Sequence, residues 1–151
     1  MYGPNFTKGY QGRGIRMGSV VVLPTGEASV TRQGLRQFEG ISAESVGSRA
    51  LCAHLLAIPP GGRAKAHRHA GHETAIYLME GRAVLWFGEQ LESRIDAGPG
   101  DFVYIPPDVP HLPVNASDTE WARGVVARTD PNEQESVELL PDLDGLPHLV
   151  P

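Results

Sequence analysis

The chain has 151 residues, among them 18 Gly and 13 Pro, with 40% hydrophobic and 21% charged residues. This is one domain of ordinary size, and helix breakers at this density exclude a helical bundle, leaving an all-β fold of short strands and tight turns. A net charge of −5 without a Lys/Arg cluster argues against a nucleic-acid partner, the single Cys52 excludes an internal disulfide, and no apolar run approaches the roughly 20 residues of a membrane helix.

Residues 1–18 are glycine-rich and polar, without a signal-peptide core, and read as an N-terminal arm able to reach a partner subunit. A lone cysteine and no leader point to the cytoplasm. Ser19-Val20-Val21-Val22-Leu23 is the first expected strand, closed by Pro24 and Gly26. Gly34 to Glu39 holds a turn or an irregular strand. Leu51 to Ile58 is a strand in which Cys52 reads as a small buried hydrophobe and His54 as a core histidine. Further strands are expected over 65–69, 74–79, 83–87, 101–105, 111–115 and 121–127, with Gly- and Pro-rich turns between them. Asp130-Pro131-Asn132-Glu133 has the form of a helix start, giving a short C-terminal helix, while Glu135 to Leu140 fits one more strand equally well. Residues 141–151 read as a tail with a solvated His148, so the barrel domain spans 19–140. Short strands at intervals of about 8–12 residues indicate a sandwich or barrel.

Six histidines are present, and their spacing is informative. His67-Arg68-His69 places two imidazoles two residues apart, on one face of a strand, where both can reach one ion. Glu73 follows a short Ala70-Gly71 turn and can add a carboxylate, and His111 opens a later strand. A mixed set of imidazoles and a carboxylate suits Fe, Mn, Ni, Cu, Co or Zn and differs from the thiolate-rich shell of structural zinc. It also leaves coordination positions open for substrate. A His-x-His pair alone fits a solvated strand face as well.

Gly61, His67-Arg68-His69, Glu73 and Gly81 resemble the first motif of the cupin superfamily. Gly100, Pro106-Pro107-Asp108, Val109-Pro110-His111 and Asn115 resemble the second. His72 to Tyr77 and Arg128 to Ser136 are similar to segments of small single-domain bacterial cupins. The resemblance implies a double-stranded β-helix, a jelly-roll barrel around a cavity with a metal near its mouth, and a homodimer. It places His67, His69 and His111 at the histidine positions of the motifs. Two departures stand out. Asp108 occupies a position where glycine is common, and Asp tolerates the left-handed turn conformation. Seven residues, where the family has six, separate Glu73 from Gly81. Counting back from Gly81 puts Thr74 at the acidic position, and a one-residue slip reverses the face of a strand side chain. The expected ligands are therefore His67, His69, Glu73 and His111, with a three-His site beside Thr74, or one using His72, as alternatives.

The resulting expectation is a metal-dependent enzyme holding a divalent transition metal (Fe, Mn, Ni or Zn) and acting on a small oxygenated or carboxylated metabolite. Dioxygenase chemistry comes first, isomerase or lyase chemistry next. The alternatives are a non-catalytic small-molecule or metal-binding barrel and a metal-independent sugar isomerase or epimerase. Tyr77, Met79, Phe102 and Tyr104, with Trp86, are the expected pocket walls. Tyr77 or Tyr104 would donate a proton, and Arg63 and Arg123 would meet a substrate carboxylate. Each of these also fits ordinary packing or a solvated charge.

Overall fold

Short runs of β-branched and aromatic residues, cut by Gly and Pro, fold into antiparallel strands. The computed structural model describes residues 19–132 and 134–151, so the expected arm over 1–18 lies outside the described residues. The strands are β1 (Ala28–Val30), β2 (Arg36–Ile41), β3 (Cys52–Ile58), β4 (His67–His69), β5 (Thr74–Glu80), β6 (Ala83–Phe87), β7 (Ser93–Ala97), β8 (Phe102–Ile105), β9 (His111–Asn115), β10 (Ala122–Arg128) and β11 (Val137–Leu139). A one-turn helix α1 (Ala43–Val46) follows β2, and a 3-10 turn covers Pro141–Leu143. One sheet has the order β1-β2-β3-β10-β5-β8 and the other β11-β4-β9-β6-β7. This is the double-stranded β-helix that the motifs imply.

Alternation sorts the side chains. β3 turns Cys52, His54, Leu56 and Ile58 inward, and β10 does the same with Ala122, Gly124, Val126 and Arg128. Leu35, Leu56, Ile58, Ala64, Ala122 and Val126 form the core between the sheets. Beside it lies an apolar cavity of about 90 Å³ lined by residues including Leu56, Ile76, Leu78, Leu85, Pro113 and Val126. A second core forms on the other face of the five-stranded sheet, where Val84, Trp86, Leu91, Leu112 and Val114 pack against Leu149. Leu140, Leu143 and Leu146 pack against the same cluster. The segment expected as a tail, 141–151, thus runs across the barrel.

Three elements differ from expectation. Ser19 to Leu23 has the composition of a strand yet pairs with no described strand, and Val20 is 99% exposed; the first strand is β1. β7, Ser93-Arg94-Ile95-Asp96-Ala97, is not among the expected strands; it alternates charged and apolar residues only over 94–97 and forms as an edge strand on β6. Asp130 caps a turn, not a helix. Its carboxylate accepts from the backbone N–H of Asn132 (2.9 Å) and Ser136 (3.3 Å), and the chain then enters β11, as the strand alternative anticipates. Glu133 of the expected helix start lies outside the described residues. Among the described residues no helix is long and apolar enough to cross a membrane.

Candidate metal centre

β4 and β9 are neighbours, and His67 pairs in register with His111. Residues 67 and 69 share a face of β4, so three imidazoles meet inside the barrel. All three are buried, and one ligand atom from each lies within 4.8 Å of the others. The hydrogen bonds at the back of the rings assign the tautomers. His67 Nδ1 lies 2.7 Å from the Lys65 carbonyl and His111 Nδ1 lies 2.9 Å from the Val109 carbonyl. A carbonyl only accepts, so both Nδ1 atoms donate, and Nε2 of each ring keeps a free lone pair. His69 Nδ1 is 3.5 Å from Ser136 Oγ, and His69 Nε2 is buried without a hydrogen-bond partner. Two converging acceptors, on His67 and His111, beside a buried and unpartnered His69 Nε2 would be costly in a dry interior. An ion at their centre removes that cost, and imidazole is a good ligand for divalent transition metals. The residues present therefore fit a metal.

The electrostatics agree. Burial is the largest cause that pushes His67 down to about 4, with a further push from the Arg128 guanidinium. Burial, then Arg128 and His111, holds His69 far below the usual range. Burial and the adjacent His67 hold His111 well below it. Neutral imidazole is the form that binds metals, so the site is ready near neutral pH without a proton to displace.

The turns that deliver these side chains are tied together. Asp108 adopts φ 66°, the left-handed conformation that its place in the motif requires. Its backbone N–H donates to the His69 carbonyl (3.1 Å), and its carboxylate accepts from the Gly71 N–H (3.0 Å). The end of β4 and the approach to β9 are thereby held in one place.

Glu73 does not join the three histidines. β5 pairs regularly with β10 from Leu78 back to Thr74, and the register shift lies at the far end, between Arg123 and Gly124. No bulge turns Glu73 inward, and its exposed carboxylate accepts from Tyr104 Oη at 2.8 Å. Thr74 takes the inward position instead, as counting back from Gly81 anticipates. His72 is half-buried, with Nδ1 3.5 Å from Thr129 Oγ1, and is not part of the histidine group.

The expected pocket walls also need correction. Tyr77 and Met79 share the outward parity of β5, and Phe102 (81% exposed) and Tyr104 (59%) lie on the outer face of β8. Neither tyrosine reaches the interior. Trp86 belongs to the second core, where its Nε1 donates to the Val150 carbonyl. Arg63 donates to the backbone carbonyls of Asp144 and Leu149, clasping the C-terminal segment. Arg123 pairs with Glu80 at 2.7 Å and lies over the Trp121 ring. His54 is a core histidine as expected, with its Nε2 3.2 Å from Arg128 Nη1. Sequence reasoning missed Arg128 as an interior residue. The signal was available, because Ala122, Gly124 and Val126 set an inward parity that ends on Arg128.

Residues 54–126 match the family described as Cupin domain. Over 54 residues the chain is 32% identical to an uncharacterised protein of Methanocaldococcus jannaschii, covering 36% of this chain and 41% of that one. The match therefore spans about two-fifths of that relative's length. The polyketide cyclase RemF of Streptomyces resistomycificus superposes with a TM-score of 0.67 at 22% identity, covering 81% of this chain and 86% of that one. A Cupin 2 conserved barrel domain protein of Salinispora arenicola gives 0.61 at 23% identity over 74% and 90% of the two chains. An oxalate decarboxylase of Bacillus subtilis gives 0.64 at 20% identity, covering 81% of this chain and 33% of that one. At these identities the likeness concerns the fold.

Proposed function

The chain belongs to the cupin superfamily, and from that premise we propose that it is a metal-dependent enzyme acting on a small oxygenated or carboxylated metabolite. Dioxygenase is the first reaction class and isomerase or lyase the next. The observation that carries this reading is the group of three buried imidazoles, His67, His69 and His111, with His69 Nε2 left without a protein partner. The Bacillus subtilis oxalate decarboxylase, which shares the fold, has Mn(II) centres, and this supports Mn among Fe, Mn, Ni and Zn. A bound divalent transition metal supplies Lewis-acid polarisation of a ligand oxygen and, where redox-active, one-electron chemistry.

The chain's own part is positional. The Lys65 and Val109 carbonyls hold the rings of His67 and His111 with Nε2 facing the centre. Leu56, Ile76 and Val126 bound an apolar space next to it, where a substrate is shielded from water. Three protein ligands are fewer than a transition metal takes, so positions remain for substrate oxygens.

Metal content after loading and dialysis tests the reading. One equivalent per chain is expected, falling below about a tenth in His69→Ala and unchanged in Glu73→Ala. Substoichiometric metal that is indifferent to His69→Ala would refute it. Stabilisation by metabolites without turnover would make the protein a binding barrel instead of an enzyme.

A further inference from the structure

The polar end of the barrel interior holds more than the three imidazoles. β10 delivers Arg128 to the inner face, where it is 5% exposed. Its register partner on β5 is Thr74, which is 1% exposed. Thr74 Oγ1 is buried with no hydrogen-bond partner, and a hydroxyl in that state is costly unless something it bonds arrives. Arg128 Nη1 is oriented by His54 Nε2 at 3.2 Å. A guanidinium and a hydroxyl thus stand side by side on one wall, and the three histidines occupy β4 and β9 of the other sheet. The charge of Arg128 reaches all three rings. One inward step further along the same two strands are Ile76 and Val126, which line the apolar cavity. The interior therefore runs from a cationic, hydroxyl-bearing belt into an apolar pocket of about 90 Å³.

We infer that Arg128 and Thr74 form a carboxylate subsite beside the histidine centre, and that the substrate is a small monocarboxylate whose short apolar body lies against Ile76 and Val126. The inference deepens the metal-enzyme reading and rests on it for the position of the reacting end. A planar guanidinium matches a planar carboxylate, and a threonine hydroxyl donates to the same group. The pocket volume limits the apolar body to a few carbon atoms. The carboxylate-binding role expected of Arg63 and Arg123 passes to Arg128, because the guanidinium of Arg63 is held by the Asp144 and Leu149 carbonyls and that of Arg123 by Glu80.

The test is calorimetric titration of the full chain, loaded with Mn²⁺, with acetate, propionate, butyrate, the neutral isostere butyramide, and inorganic phosphate. Butyrate is expected to bind more tightly than acetate, and at least about tenfold more tightly than butyramide. Arg128→Gln should weaken butyrate about 10- to 100-fold and abolish the preference over butyramide. Thr74→Val should weaken butyrate about 3- to 10-fold, with metal content at the wild-type level in both variants. Equal affinity of the wild type for butyrate and butyramide overturns the inference. So does butyrate affinity that neither variant changes, and phosphate binding tighter than butyrate overturns the carboxylate assignment. If Arg128→Gln does not fold, Thr74→Val and the isostere comparison decide. The two readings fail separately. A wild type that holds no metal yet prefers butyrate loses the metal centre and keeps the subsite, whereas full metal with no carboxylate preference does the reverse.

Discussion

His54 and His67 are weak bases because the barrel interior solvates a cation poorly, and Arg128 adds repulsion to both. Both are lowered from 6.5 to about 4 in the folded chain. Between these values the unfolded chain binds more protons than the folded one. Their contribution to stability is complete above pH 6.5 and is lost as pH falls toward 4, at about 1.4 kcal/mol per pH unit for each group. Urea unfolding of the metal-free protein should show midpoints that drop steeply between pH 6.5 and 4.5 and stay level from 7 to 8. A midpoint that is level across the acid range as well would place these imidazoles in water. The same scale shows what could be read from sequence alone. His67, His69 and His111 were legible because two residues on one strand face need no tertiary knowledge. Glu73 against Thr74 was not legible from the histidine side, since the turn at Ala70-Gly71 hides the phase of β5. It was legible from Gly81, because a strand without a bulge preserves parity back to Thr74.

At the scale of elements, β6 and β9 were readable to the residue, because Gly88 closes the apolar run of β6 and Pro110 sets where β9 begins. β7 was not, since its alternation, Arg94-Ile95-Asp96-Ala97, spans four residues with a single large apolar side chain. Ser19 to Leu23 misled for the opposite reason: β-propensity describes fitness for a pleated surface, and this segment pairs with no described strand. The glycines of the two motifs separate cleanly into kinds. Gly81 and Gly100 both have positive φ, 76° and 94°. A Cβ at Gly81 would strike the Trp121 carbonyl and Ala122 where β10 begins, whereas one at Gly100 meets nothing within 4 Å. Gly100→Ala should therefore cost only the conformational term, about 1–2 kcal/mol. Gly81→Ala adds a backbone collision and should cost at least about 3 kcal/mol, or prevent folding. Chemical denaturation of the two variants tests the order, and equal losses would mean that the β5–β6 turn does not press against β10 as described.

For the whole molecule, the second core couples the C-terminal segment to the three-histidine site. Leu149 closes the cluster over Val84, Trp86, Leu112 and Val114, and Trp86 Nε1 donates to the carbonyl of Val150. Arg63 holds the same segment from the other side. The link to the site is Asp144, whose carboxylate accepts from the Ala66 N–H at 2.6 Å, one residue before His67. Leu140 adds a backbone bond to the Ala66 carbonyl at 2.8 Å. β4 has only three residues, so its placement depends on such ties at its entrance. Leu149→Ala removes a buried side chain and should cost about 2–4 kcal/mol, with the metal stoichiometry kept. Asp144→Ala buries less apolar surface but releases the Ala66 amide, so its cost in global stability should be smaller, about 1–2 kcal/mol. Its effect on metal affinity should be the larger of the two, since it frees the strand that carries His67 and His69. Tryptophan emission reports the first effect, because opening the Leu149 cluster wets Trp86. Competitive chelator titration reports the second. A Leu149→Ala variant that lost metal as readily as Asp144→Ala would show that the C-terminal segment supports the site through bulk stability alone, and not through the Asp144–Ala66 tie.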